Sequence, residues 1–151
     1  MKFSYTRFLE RTPDGKQRTV LRPAIRIGIA YRGKTLPAEY LALVDSGSDA
    51  CIFHAQLADL LGLDVEAGEP MAFRGMGHGE VKAFFHDVEI IVGGHHFPCR
   101  AAFTPDLYIR NPDTGRWEGL QYGVLGQQGF FNHFRVEFDL SKERIELKPL
   151  V

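Results

Sequence analysis

The chain has 151 residues, 44% of them apolar and 12 of them phenylalanine, enough to bury one sizeable core without calling for a second domain. Its 18 basic and 19 acidic residues nearly cancel, which removes the broad electrostatic field that gathers nucleic acid or an anionic membrane surface, so partners must be recognised by shape. The two cysteines, Cys51 and Cys99, have neither a disulfide-framework nor a metal-knuckle spacing and are read as reduced and buried; the longest apolar runs, such as Tyr40–Val44, are far too short to span a bilayer, and the charges and hydroxyls in residues 1–7 break up any secretory segment. The expectation is one cytoplasmic domain over residues 1–151, with a hairpin in about 1–24, a core in about 25–147, and no cofactor or metal.

Short apolar segments separated by turn residues predict an all-β barrel with one or two short helices. Residues 2–10 and 17–21 flank Pro13-Asp14-Gly15 and form an N-terminal hairpin. Residues 25–31 and 38–44 form a second hairpin around Arg32-Gly33-Lys34, and the return strand Tyr40–Val44, apolar on both faces, belongs in the middle of a sheet. Leu57, Leu60 and Leu61 mark a short helix over 54–61, closed by Gly62. Three alternate glycines, Gly75, Gly77 and Gly79, set the tip of a hairpin over 71–85. Residues 88–92 and 97–103 pair through Gly93-Gly94.

Residues 104–121, rich in Pro, Asn, Asp and Gly, predict a long loop or irregular hairpin. Residues 122–125 form a strand that enters Gly126, residues 128–134 a second short helix, and residues 136–147 a closing hairpin. The two halves echo each other: the apolar strands at residues 40–44 and 122–125 each lead to a glycine turn and a short helix, which implies an internal pseudo-twofold.

The chemistry concentrates in Leu43-Val44-Asp45-Ser46-Gly47-Ser48-Asp49. A carboxylate at the end of an apolar strand costs several kcal/mol, on the order of typical desolvation penalties, unless it is hydrogen-bonded or shares a proton. Gly47 lets backbone N–H groups approach it, and Ser46 offers a hydroxyl.

These residues resemble the Asp-Ser/Thr-Gly turn of retropepsin-like aspartic proteases, and Tyr122-Gly123-Val124-Leu125-Gly126 is similar to that family's apolar-apolar-Gly segment. Between the two lies Gly75-Met76-Gly77-His78-Gly79, where the family carries its flap, so the three landmarks stand in the family's order across about residues 25–147. The resemblance implies a homodimeric endopeptidase acting on extended peptide. Asp45 would be the catalytic carboxylate, Ser46 the hydroxyl bracing the two turns across the dimer, and Gly47 the backbone approaching substrate. Asp49, Gly75, Met76, Gly77, His78 and Val124 would contact substrate. One chain supplies one such Asp, and the chemistry needs a second.

Asp113-Thr114-Gly115 repeats the tripeptide, but Asn111-Pro112 before it and Arg116-Trp117 after it make a polar turn with no apolar strand to aim the acid. His86, His95 and His96 lack structural-zinc spacing and are read as surface residues; Cys51, Trp117 and Phe130-Phe131 are read as packing. Viral members carry Arg directly after the second-motif glycine, where this chain has Gln127, so the ion pair to Asp49 from that position is absent. The alternative to hydrolysis is a peptide-binding or assembly module that keeps the fold, and a third reading is a monomeric barrel that binds a ligand.

Overall fold

The computed structural model describes residues 1–74, 80–110, 115–119 and 122–150. In chain order the strands are β1 (Lys2–Ser4), β2 (Thr6–Arg11), β3 (Gln17–Arg22), β4 (Ala24–Tyr31), β5 (Lys34–Thr35), β6 (Tyr40–Val44) and β7 (Cys51–His54), followed by helix α1 (Ala55–Leu60). Then come β8 (Glu69–Arg74), β9 (Glu80–Val92), β10 (His95–Thr104), β11 (Tyr108–Arg110), β12 (Trp117–Gly119), β13 (Gly123–Leu125), β14 (Phe134–Asp139) and β15 (Arg144–Pro149). The expected all-β architecture is what the chain forms.

The main sheet runs β5-β4-β6-β13-β7-β10-β9-β8, and β4 also pairs with β9, so six strands from β4 to β9 close into a barrel. Period-two alternation makes this possible: Ile25, Ile27 and Ile29 of β4, Val88, Ile90 and Val92 of β9, and Phe97, Cys99, Ala101 and Phe103 of β10 all point into one core. Tyr40–Val44 lies between β4 and β13, in the middle of the sheet, as its two-sided apolar character requires. Turn chemistry places the reversals. Arg32 and Gly33, at φ 47° and 78°, turn β4 into β5; Gly93 and Gly94, at φ 54° and 79°, turn β9 into β10. His54 caps α1 by accepting the Gln56 N–H at its Nδ1 over 3.1 Å, and Gly62 at φ 69° follows the helix.

Three expectations are corrected. The first predicted strand divides at Tyr5: β1 pairs with β15, held there by a hydrogen bond from the Tyr5 N–H to the Glu143 carbonyl, and only β2 pairs with β3 across the Pro13-Asp14-Gly15 turn. The N-terminal hairpin therefore starts at Thr6, because Met1 and Phe3 find apolar partners in the core. Residues 128–134 are a series of turns rather than a helix, since Gly129 sits at φ 103° with its N–H bonded to the Asn132 side chain. The strand expected over 88–92 starts eight residues earlier, at Glu80, running unbroken from the hairpin of β8 into the barrel wall. Residues 104–121, by contrast, agree with expectation: they hold the short antiparallel pair β11–β12, the irregular hairpin of the two alternatives; Asp113 and Thr114 lie outside the described residues.

The internal symmetry exists, with a different correspondence. The order β6-β13-β7-β10 has β13 lying between β6 and β7, and β7 lying between β13 and β10. The parallel pairs β6/β13 and β7/β10 are related about the antiparallel contact of Val124 with Ile52. Tyr40–Val44 thus corresponds to β10, and β13 corresponds to β7.

Phe53 occupies the middle of this arrangement, fully buried, with its ring 5.9 Å from Phe103 and 6.4 Å from Tyr40. Phe53→Ala is expected to cost about 3–5 kcal/mol of stability, read as a lowered midpoint in urea unfolding at unchanged slope.

Candidate active site

The chain leaves β6 at Val44, turns through Asp45 to Ala50 and enters β7, passing over the end of β13, which lies between the two strands. This crossing is laced by main-chain hydrogen bonds. The Asp45 N–H donates to the Leu125 carbonyl at 3.0 Å, the Gln127 N–H to the Ser48 carbonyl at 2.8 Å, and the Gln128 N–H to the Asp49 carbonyl at 2.9 Å. Within the turn, the Ser48 N–H reaches the Asp45 carbonyl at 3.2 Å and the Ser48 hydroxyl donates to the Ala50 carbonyl at 2.8 Å.

Two glycines permit the approach. A Cβ on Gly126 would stand 2.3 Å from the Ala50 oxygen and 2.7 Å from the Ser48 oxygen, so no side chain fits while the loops stay crossed. A Cβ on Gly123 would meet the Phe53 ring at 2.5 Å, which lets β13 lie flat against it.

The Asp45 carboxylate accepts the Gly47 N–H on Oδ1 at 2.9 Å. Its side chain is half-buried, not fully buried as the apolar lead-in suggests, because β6 ends at the edge of the barrel and the turn is open outward. Ser46, Gly47 and Asp49 are exposed beside it. Val124, half-buried in mid-strand, pairs with Leu43 and Ile52 near the crossing. The structure thus brings Asp45, Ser46, Gly47, Asp49 and Val124 to one end of the barrel. The β8–β9 arms are in register from Glu69 opposite Phe85 to Arg74 opposite Glu80; Gly75, Met76, Gly77 and His78 between them lie outside the described residues.

Sequence reasoning missed the side chain of Gln127, whose Nε2 donates to the Ser46 carbonyl at 2.7 Å. Only its place after Gly126, opposite the acidic turn, hinted at such a contact. It also missed what lies under the crossing. Cys51 and Cys99, both buried and free, share a hydrogen bond, and the Gly126 N–H donates to the Cys51 sulfur at 3.4 Å. That shared bond, reinforced by burial, holds the Cys99 thiol far above the ordinary thiol range, while the same bond draws the Cys51 thiol below it; both sulfurs pack beneath Gly129. Among the histidines, His86 contacts the Val65 carbonyl at 2.8 Å and is half-buried, while His95 and His96 are exposed, His96 beside Glu89 at 2.8 Å. Among the described residues, no group of three or more His, Cys, Asp or Glu side chains is placed to hold a metal, and no helix is long and apolar enough to cross a membrane.

A closed six-stranded barrel whose acidic turn straddles the strand leading to a second glycine is the retropepsin-like all-β fold. The chain is similar in structure to a retropepsin-like aspartic protease from Rickettsia conorii, over 93% of this chain and 97% of that one, with a TM-score of 0.53 and 16% sequence identity. It also matches the EIAV protease complexed with the inhibitor HBY-793, over 70% of this chain and 82% of that one, with a TM-score of 0.44 and 19% identity. No family model and no curated protein matches the sequence. At 16% identity the likeness to the Rickettsia protein is one of fold, and the chemistry has to be argued from this chain's own residues.

Because a Gly126 side chain would strike two carbonyl oxygens, Gly126→Ala is expected to destabilise the fold by about 1–3 kcal/mol. Thermal unfolding followed by circular dichroism would read this as a lower melting temperature, whereas Gly94→Ala, where a Cβ meets nothing within 4 Å, costs only the strain of its positive φ.

Proposed function

We propose that the chain is an aspartic endopeptidase working as a homodimer, in which the Asp45 carboxylates of two copies face each other across a twofold axis. The observation that carries this reading is the half-buried Asp45, braced on one oxygen by the Gly47 N–H at 2.9 Å and standing at the open end of the barrel with Ser46 and Gly47 exposed around it. A second copy laid on this end removes both acids from water, and like charges so close cannot both ionise. The pair then shares one proton. The ionised member takes a proton from a water, and the protonated member donates to the oxygen of the scissile carbonyl. Hydrolysis therefore fails on the acid side, when the pair gains a second proton and loses its base, and on the alkaline side, when it loses the first and has no acid.

Ser46 in this reading braces the two turns against each other, and Gly47 and Asp49 meet the substrate main chain. The substrate is an extended peptide added in strand form between the Asp45 turns and the tips of the β8–β9 hairpins, where Gly75, Met76, Gly77 and His78 would cover it and Val124 would line the floor. Two free, buried cysteines and the balanced charge suit a reducing, cytoplasmic setting.

Asp45→Asn is expected to lower peptide hydrolysis by at least about a thousandfold while sedimentation still reports the dimer. Retained turnover in a clean preparation of that variant would refute the reading. If the unmodified chain binds peptide but turns none over from acidic to neutral pH, the assembly-module alternative takes its place, and a strict monomer at high concentration would exclude the dyad altogether.

A further inference from the structure

Gln127 makes two contacts with the Asp45 turn, and they differ in what they do. Its backbone N–H, bonded to the Ser48 carbonyl at 2.8 Å, helps hold the crossing together, as does the Gln128 N–H on the Asp49 carbonyl at 2.9 Å. The crossing is therefore secured without the side chain. The side-chain amide goes elsewhere, to the Ser46 carbonyl oxygen at 2.7 Å. That oxygen belongs to the peptide group whose nitrogen is Gly47 N, and the Gly47 N–H is the donor that grips Asp45 Oδ1 at 2.9 Å. One rigid peptide plane thus carries the Gln127 donor at its oxygen end and the Asp45 carboxylate at its hydrogen end.

Two physical consequences follow from that alignment. Because the peptide is planar, fixing the direction of its C=O fixes the direction of its N–H, so the Gln127 amide sets the angle at which the carboxylate is held. And because hydrogen bonds in a chain polarise one another, a donor at the oxygen end makes the N–H at the other end a better donor. Ser46 and Gly47 are exposed, and Gly47 has no side chain to hold the plane against rotation. Among the described residues, the Gln127 amide is the side-chain hydrogen bond that spans from the segment after β13 to this peptide.

We infer that Gln127 is a positioning residue for Asp45, acting through the Ser46–Gly47 peptide group by a neutral hydrogen bond and leaving the charge of the site unchanged. This inference rests on the endopeptidase reading for its effect on rate, but the coupling itself is a property of the folded chain.

The test compares Gln127→Ala, Gln127→Arg and Gln127→Glu in the full chain, reading the Gly47 amide by NMR and peptide hydrolysis by steady-state kinetics. In Gln127→Ala the Gly47 amide proton is expected to move upfield and to exchange with solvent about fivefold faster, while amides in β4 and β9 stay as they were. Its kcat is expected to fall about five- to tenfold with KM within about twofold, the loss of one hydrogen bond. Gln127→Arg keeps a donor and restores most of the amide shift and the rate. Gln127→Glu offers an acceptor to an acceptor when ionised and a donor when protonated, so its Gly47 shift and its rate relative to the unmodified chain recover as pH falls through about 4.3. A Gly47 amide unmoved by Gln127→Ala overturns the coupling, and a moved amide with unchanged kcat overturns the positioning role. If the unmodified chain turns over no peptide while Gly47 still responds, the coupling stands and the protease reading is what fails.

Discussion

Everything at the open end of this barrel depends on two loops crossing at main-chain distance. The chain between β6 and β7 passes over the end of β13, and it does so close enough for the Asp45, Gln127 and Gln128 N–H groups to find carbonyls across the gap. Such an approach leaves no room for a β-carbon, which is why a glycine stands at 126 with the Ala50 oxygen where its side chain would be. The crossing in turn locks β13 between β6 and β7, and with β4 paired to β9 the sheet closes. Barrel closure and the placing of the acid are thus one constraint, because closure abolishes the free edges of these strands and the same hydrogen bonds hold Asp45 at their end.

A carboxylate in this position is tolerable because its costs are met locally. One oxygen is bonded to the Gly47 N–H, and the half-burial of the side chain leaves it in contact with water in a single copy. Beneath the crossing the Cys51 sulfur accepts the Gly126 N–H and shares a hydrogen bond with Cys99, which draws the Cys51 thiol below its ordinary range and holds the Cys99 thiol above it, so the polar groups of this layer are satisfied.

Most of the scaffold was legible because its signals are local. Gly93-Gly94 and Arg32-Gly33 turn where positive φ is required, His54 to Gly62 brackets the helix, and the alternation of β4 and β9 assigns the core face. The failures have equally definite causes. The break at Tyr5 is decided by a strand more than a hundred residues away, which no local pattern encodes. The turns over 128–134 hide behind residues that tolerate helix, until the left-handed Gly129 and the Asn132 side chain decide otherwise. The motif residues Asp45, Gly47 and Gly126 could be named from their types, whereas the role of Gln127 lies in where its amide points, and that is a property of the fold alone.

The proposed reading takes its second acid from another molecule, and the internal symmetry bears on why. In the strand order β7 lies between β13 and β10 just as β13 lies between β6 and β7, and Thr104 at the end of β10 stands opposite His54 as Val44 stands opposite Leu125. The residue at the place of Asp45 is then Pro105, which has no acid to offer, and the neighbouring Asp106 has its N–H tied to the Thr104 hydroxyl. The strands β7 and β13 run antiparallel through Val124 and Ile52, so their C-terminal ends, His54 and Leu125, point in opposite directions. Within the described residues the fold repeats the strand order but not the carboxylate, and the proposed dyad built on Asp45 takes its second acid from another molecule related by a twofold axis.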